Sequence, residues 1–184
     1  MKYIFYIFNV FGFKLCWWAC VLGAVNNQKF LGPLLISGYL IIHIISIPKN
    51  LRKVEIYILL IAGILGTFVD SLLLNLNILS YEGMYKSINY IAPLWITGMW
   101  VGFTATLNHA FKNIMEKYFT QTVLGIIAGP IAYATGNSLG AIKFNTLYSD
   151  NFILLLIAVV WGCLLYTSDA ADDLLCVDLG GRRI

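Results

Sequence analysis

Charge is scarce in this sequence. Only 11% of its 184 residues are Asp, Glu, Lys or Arg, against about a quarter in ordinary soluble domains. That is too little to coat a surface facing water. The basic residues flank apolar segments instead of clustering, which leaves nucleic-acid binding unsupported. Catalytic signatures are missing too: there is no G-x-S-x-G elbow, Walker loop or H-E-x-x-H helix. No two carboxylates lie close enough in sequence for paired acid/base work. The four cysteines, Cys16, Cys20, Cys163 and Cys176, give no C-x-x-C or Cys/His zinc spacing, so neither a metal nor a cofactor is expected. Cys16 and Cys20 share one helix face, where side chains point away in parallel, and read as small packing residues.

What the sequence does have is long apolar blocks. Six of them, at 3–25, 31–48, 54–76, 91–111, 121–138 and 152–166, have about the length a bilayer requires. They predict an all-α, multi-pass membrane protein: a bundle of six transmembrane helices in one domain over residues 1–165. Pro33, Pro48 and Pro93 fall near block ends, whereas Pro130 falls inside the fifth and predicts a kink. The first block opens Met-Lys, but Lys14 interrupts it and no A-x-A site follows, so it reads as a retained helix. With the N-terminus cytoplasmic, the inner segments hold Lys2, Lys49, Arg52, Lys53, Lys112 and Lys117, and the outer loops only Lys29, Lys86 and Lys143. The positive-inside rule supports that orientation. Residues 166–184 change character abruptly to "YTSDAADDLLCVDLGGRRI". They look like translated sequencing-adapter read-through or a disordered tail, so Cys176, Arg182 and Arg183 carry no functional weight.

Small residues recur on helical stripes. Gly98, Gly102, Ala105 and His109 share one face, and Gly125, Gly129, Ala132 and Gly136 repeat the spacing. Such faces let helices approach closely in lipid. Gly63, Gly66, Thr67 and Asp70 form a third stripe, which turns Asp70 into the bundle. There an acid costs about 2.5–3.5 kcal/mol to insert and is paired or functional. Lys14 lies nearly opposite the Gly12, Cys16, Ala19, Cys20 and Gly23 stripe of the first block. It reads as a lysine snorkelling toward the cytoplasm before an ion pair with Asp70.

Counting depth at about 1.5 Å per residue separates two polar layers. His43, Asn108 and His109 lie toward the inner surface, with His43 on a stripe with Tyr39 and Ser46. Asp70, Tyr133, Asn137 and Ser138 lie toward the outer one, where a protonated Asp70 hydrogen-bonded to Tyr133 or Asn137 is the cheapest arrangement.

The segments "WWACVLGA" (17–24), "LGP" (31–33), "GTFVDSLL" with Asp70, "APLWITGMWVGFTATLNHAF" (92–111) and "GPIAYATGNSLGA" (129–141) occur in order. Together they resemble the bacterial inner-membrane family catalogued as domain of unknown function 2878. The family pattern N-H-S is Asn108-His109-Ala110 here, and the position of Lys14 is usually neutral. The resemblance implies a small polytopic inner-membrane protein without assigned activity, with a tilt toward lipid-linked work.

Three functions follow as expectations. The leading one is not an enzyme: a carrier or accessory subunit handling a lipid or small apolar solute, its cavity lined by Asp70 and Tyr133, with Asn137 and His43 as further binding candidates. The second is an intramembrane enzyme acting on a lipid, with His109 as acid or base beside Asn108. It requires the two histidines to converge, and a separation beyond about 10 Å, far outside hydrogen-bond reach, would remove it. The third is a scaffold whose Gly98, Gly102, Gly125, Gly129 and Gly136 merely pack. A homo-oligomer or another membrane partner stays open.

Overall fold

The computed structural model describes residues 2–110 and 118–179, with side chains at 4–107, 109 and 119–165. Among the described residues the chain is all-helical apart from one small sheet: α1 (Lys2–Val25), α2 (Leu31–Ser46), α3 (Arg52–Asn75), β1 (Leu79–Tyr81), α4 (Leu94–Ala110), α5 (Tyr118–Ser138), β2 (Ile142–Phe144) and α6 (Asp150–Leu179). Each helix falls on one of the six apolar blocks. Of these, Ile4–Val25 and Arg52–Asn75 are long and apolar enough to cross a membrane, and Leu31–Ser46, Leu94–Leu107 and Asp150–Leu165 are shorter apolar helices.

The boundaries have local causes. Ile47 is extended (ψ 145°) because it precedes Pro48, so α2 stops at Ser46 rather than 48. Pro93 comes just before α4, where its missing N–H costs nothing, so that helix begins at Leu94 rather than 91. Asn27, Asn77 and Gly140 take positive φ just past α1, α3 and α5. The next N–H reaches back to the helix in each case: Gln28 to Gly23, Ile78 to Leu73 and Ala141 to Gly136. These bonds satisfy carbonyls that a helix end otherwise leaves bare. α5 runs through Pro130 as one helix. α6 continues to Leu179, well past the expected end near 166, and residues 167–179 contain neither glycine nor proline to interrupt it. The tail is therefore helical as far as Leu179. Lys112, Lys117, Arg182 and Arg183 and the side chains of Lys2, Asn108 and Cys176 lie outside the described residues.

The chain divides into two units. The first comprises Met1–Lys112 and Gly136–Tyr148, the second Asn113–Thr135 and Ser149–Ile184. In the first, α4 packs against α1, α2 and α3, and α2 bridges α1 and α3. The connections β1 and β2 pair antiparallel, Leu79 facing Phe144 and Tyr81 facing Ile142. Neither connection was expected to form a strand. Three-residue strands are too short to show an alternating pattern in sequence.

The glycine stripes meet side chains more than backbone. A Cβ at Gly66 would land in the indole of Trp100, at Gly102 against Phe13 and at Gly98 against Ile36. At Gly32 it would strike the backbone and Sγ of Cys20, so α1 and α2 do come close there. Cys16 and Cys20 are buried and unbridged, as packing residues should be. In the second unit Gly129 receives the indole of Trp161, Gly125 meets the Leu165 side chain and the Trp161 backbone carbonyl, and Gly162 receives Ile126. Gly136 meets Ile142. The small residues thus act largely as sockets for tryptophan, phenylalanine and isoleucine. This interlocking supplies close van der Waals contact between the helices.

Candidate functional site

Two polar groupings lie at opposite ends of the first unit. One is centred on Asp70, near the C-terminus of α3. Its carboxylate is fully buried and accepts hydrogen bonds from Tyr81 Oη at Oδ1 and Trp100 Nε1 at Oδ2, both 2.6 Å. Asp70 points inward as the Gly63–Gly66–Thr67 stripe predicts. One turn earlier Thr67 Oγ1 lies 2.6 Å from Thr97 Oγ1. Tyr81 and Trp100 were not foreseen as its donors. Of the residues expected in this layer, Asn137 uses Oδ1 to accept the Phe144 N–H at 3.3 Å, bracing the turn into β2. Tyr133 lies in the second unit, edge-on to Trp161 at 6.3 Å.

The other grouping gathers at the N-terminal end of α1 and α3 and the C-terminal end of α2 and α4. His43 and His109 occupy the last turns of α2 and α4, and Glu55 the first turn of α3. Each suits its place. A helix C-terminus favours a cation and an N-terminus an anion, worth about 0.3–1 kcal/mol apiece when exposed and more when buried. Arg52, one turn before Glu55, donates instead to the carbonyls of Ile47 and Ile45 (2.9 and 2.6 Å) and caps α2.

The carboxylate of Glu55 spans the two rings. His43 Nε2 is 3.1 Å from Oε1, and His109 Nε2 is 3.2 Å from Oε2. The ring centroids are 4.8 Å apart, edge to face. Phe5 stacks on His43 and turns its edge to His109. His43 is completely buried, whereas the His109 side chain is 23% exposed. The distance condition set for the enzyme reading is met.

Behind His43 a hydrogen-bonded chain fixes its tautomer. Asn9 donates Nδ2–H to the carbonyl of Phe5 at 2.8 Å, which leaves Oδ1 facing inward as a pure acceptor. That oxygen receives Tyr39 Oη at 2.8 Å and lies 2.6 Å from His43 Nδ1. Nδ1 therefore carries a hydrogen. Tyr39 is backed by Thr106 Oγ1 at 3.2 Å, which donates to the Gly102 carbonyl. In a neutral His43 the remaining nitrogen, Nε2, would point a lone pair at a carboxylate oxygen. The 3.1 Å approach calls for a hydrogen on one of the two atoms or a cation between them. His109 Nε2, although inaccessible, makes no hydrogen bond: it is near Glu55 but off the donor direction.

Three donor atoms from His43, Glu55 and His109 lie within 4.8 Å of one another. The absence of ligand spacing in sequence did not foresee this, because the donors come from three separate helices. Glu55 was missed because it follows Arg52 and Lys53 and reads as part of a solvated flank. Asn9 was missed although it extends the Gly12–Cys16–Cys20 stripe by one step toward the N-terminus. Lys14 is exposed.

The family model described as "Protein of unknown function (DUF2878)" matches residues 6–167. The chain belongs to that family. No curated protein and no solved structure matches it. Every residue of both polar groupings in this DUF2878 protein falls within the matched range except Phe5.

Proposed function

We propose that this DUF2878 protein is a six-span inner-membrane protein with its N-terminus in the cytoplasm. Its reaction centre, for modifying a lipid, is the His43–Glu55–His109 cluster at the cytoplasmic face. The membrane part rests on inverted polarity. Ile4, Leu15, Leu34 and Ile64 are each about 70% exposed, while Asn9, His43 and Asp70 are fully buried. A surface of aliphatic side chains around buried polar groups suits hydrocarbon as solvent. α2 and α4, at 16 and 17 residues, reach only about 24–26 Å. Local thinning of the bilayer accommodates such short spans.

The observation that carries the enzyme reading is the convergence of two imidazoles on one buried carboxylate, with His109 its most exposed member among the described residues. Such a cluster is costly to assemble in an apolar setting. It is also the arrangement from which proton transfer or ion-assisted chemistry is built. The Asp70 layer supports the carrier reading less well, since both its oxygens are engaged by Tyr81 and Trp100 in the manner of a structural tie.

The test is lipid profiling of a strain lacking the gene, complemented with wild type, Glu55→Gln, His109→Ala or Asp70→Asn, with protein level monitored. Glu55→Gln and His109→Ala should accumulate normally and fail to restore the lipid profile. Asp70→Asn should act through protein level alone. Full restoration by both Glu55→Gln and His109→Ala would remove the proposal.

A further inference from the structure

The chemistry of the cluster goes beyond a pair of histidines sharing an acid. We infer that His43 Nε2, Glu55 and His109 Nε2 bind a divalent first-row transition-metal ion. The inference rests on the reaction-centre reading above and names the group that completes it. Four observations lead there.

The first is the tautomer. Asn9 forces the hydrogen of His43 onto Nδ1, so Nε2 is the nitrogen offered to the centre. Ligating histidines have this pattern: the far ring N–H is held by a carbonyl or carboxylate, and the near nitrogen is left to the metal. The second is His109 Nε2. It is inaccessible, 3.2 Å from the carboxylate, and makes no hydrogen bond. A nitrogen that turned toward the acid merely to share a proton would align its N–H with an oxygen.

The third is distance. Ligand bonds of about 2.0–2.1 Å put two donors of a tetrahedral ion about 3.3 Å apart. His43 Nε2 is 3.1 Å from Glu55 Oε1 and His109 Nε2 is 3.2 Å from Oε2, each close to that value but on a different oxygen, so the carboxylate would hold the ion with both oxygens or turn to offer one. The widest separation in the set, at most 4.8 Å, needs to close by about 1.5 Å, within reach of small rotations of His109 or Glu55. The fourth is electrostatic. α2 ends at this cluster, and the partial negative charge of its C-terminus adds to that of Glu55.

Two histidines and one carboxylate form a mixed nitrogen–oxygen set that suits zinc and ferrous iron and disfavours magnesium and calcium. Three protein donors leave a coordination position open, and the exposed edge of His109 is the way in. One carboxylate against a divalent ion leaves a net positive centre. The group it would recognise is accordingly an anionic oxygen, such as a lipid carboxylate or phosphate.

The experiment uses the full chain in detergent, stripped of metal and titrated with Zn²⁺, and separately with Co²⁺ to read the visible ligand-field bands of nitrogen–oxygen coordination. One ion per chain is expected, with a rise in thermal midpoint on Zn²⁺ addition. His109→Ala, at a partly exposed position, should fold and lose at least 100-fold in affinity. Glu55→Gln should do the same. Asn9→Asp, which keeps an acceptor on His43 Nδ1, should bind the ion, while Asn9→Leu should lose about 10–100-fold. A Cys16→Ala/Cys20→Ala/Cys163→Ala/Cys176→Ala variant should bind as wild type does. Wild type binding no ion, or His109→Ala and Glu55→Gln binding as tightly as wild type, would overturn the inference. The two proposals separate cleanly. Variants that lose the lipid effect in a wild type that binds no ion refute the metal alone. Stoichiometric binding with no lipid effect in any variant refutes the lipid reading alone.

Discussion

The packing of Trp100 against Gly66 allows a double-mutant cycle with a sign change. A methyl group at Gly66 would coincide with atoms of the indole at its attachment point. The ring cannot simply swing away, because its Nε1 is tied to Asp70 at 2.6 Å. Gly66→Ala in the wild-type chain is therefore overpacking at a fixed obstacle, costing about 2 kcal/mol within the usual span of about 1–3. Trp100→Ala removes a large buried ring and one donor to Asp70, costing about 3–5 kcal/mol. Once the ring is gone the obstacle is gone. Gly66→Ala in that background should then stabilise by about 0.5–1 kcal/mol, the helix preference of alanine over glycine. The coupling is about 3 kcal/mol, at the upper end for residues in contact. At about 2–4 °C per kcal/mol for a chain of this size, Gly66→Ala should lower the thermal midpoint in detergent by roughly 4–8 °C alone and raise it by about 1–4 °C in Trp100→Ala. Additive effects, with Gly66→Ala harmful in both backgrounds, would show that the indole does not fill the glycine socket.

Asn9→Leu deprives both His43 Nδ1 and Tyr39 of their acceptor. It should cost about 2–6 kcal/mol at about 1–3 per orphaned group, with most of this restored in Asn9→Asp; equal midpoints for Asn9→Leu and wild type would be inconsistent with the hydrogen-bonded chain. In a Cys176→Ser background a lipid-permeant maleimide should modify the exposed Cys163 first and reach the buried Cys16 and Cys20 only on unfolding. Labelling of Cys20 at the rate of Cys163 would contradict the α1–α2 contact. Alkaline phosphatase fused after Gly83 or Lys143 should be active, and fused after Lys49 inactive; the reverse pattern would exclude the proposed orientation.

The helices were legible because each is a long apolar block, and their ends because proline and asparagine punctuate them. Asp70 was legible as inward because Gly63, Gly66 and Thr67 mark its face. Its donors were not, since Tyr81 stands in a connection and Trp100 on another helix, and helical periodicity does not say which ring enters which socket. The same limit applies to the site. His43 and His109 were placed in one layer by counting along their helices. The acid between them was hidden at the start of α3, beside two basic residues that resemble any membrane-flanking pair. Asn9 was hidden because one polar residue in an apolar helix reads as an interruption unless the stripe is extended to include it.

Because the chain contains only two histidines, their ¹⁵N imidazole spectrum tests the central arrangement most directly. Both rings should respond when Glu55→Gln is introduced, His43 should be the tautomer protonated at Nδ1 or doubly protonated, and Asp70→Asn should leave both resonances nearly in place. Histidine signals indifferent to Glu55→Gln, or a His43 protonated at Nε2 alone, would contradict a carboxylate held between two imidazoles with Asn9 behind them.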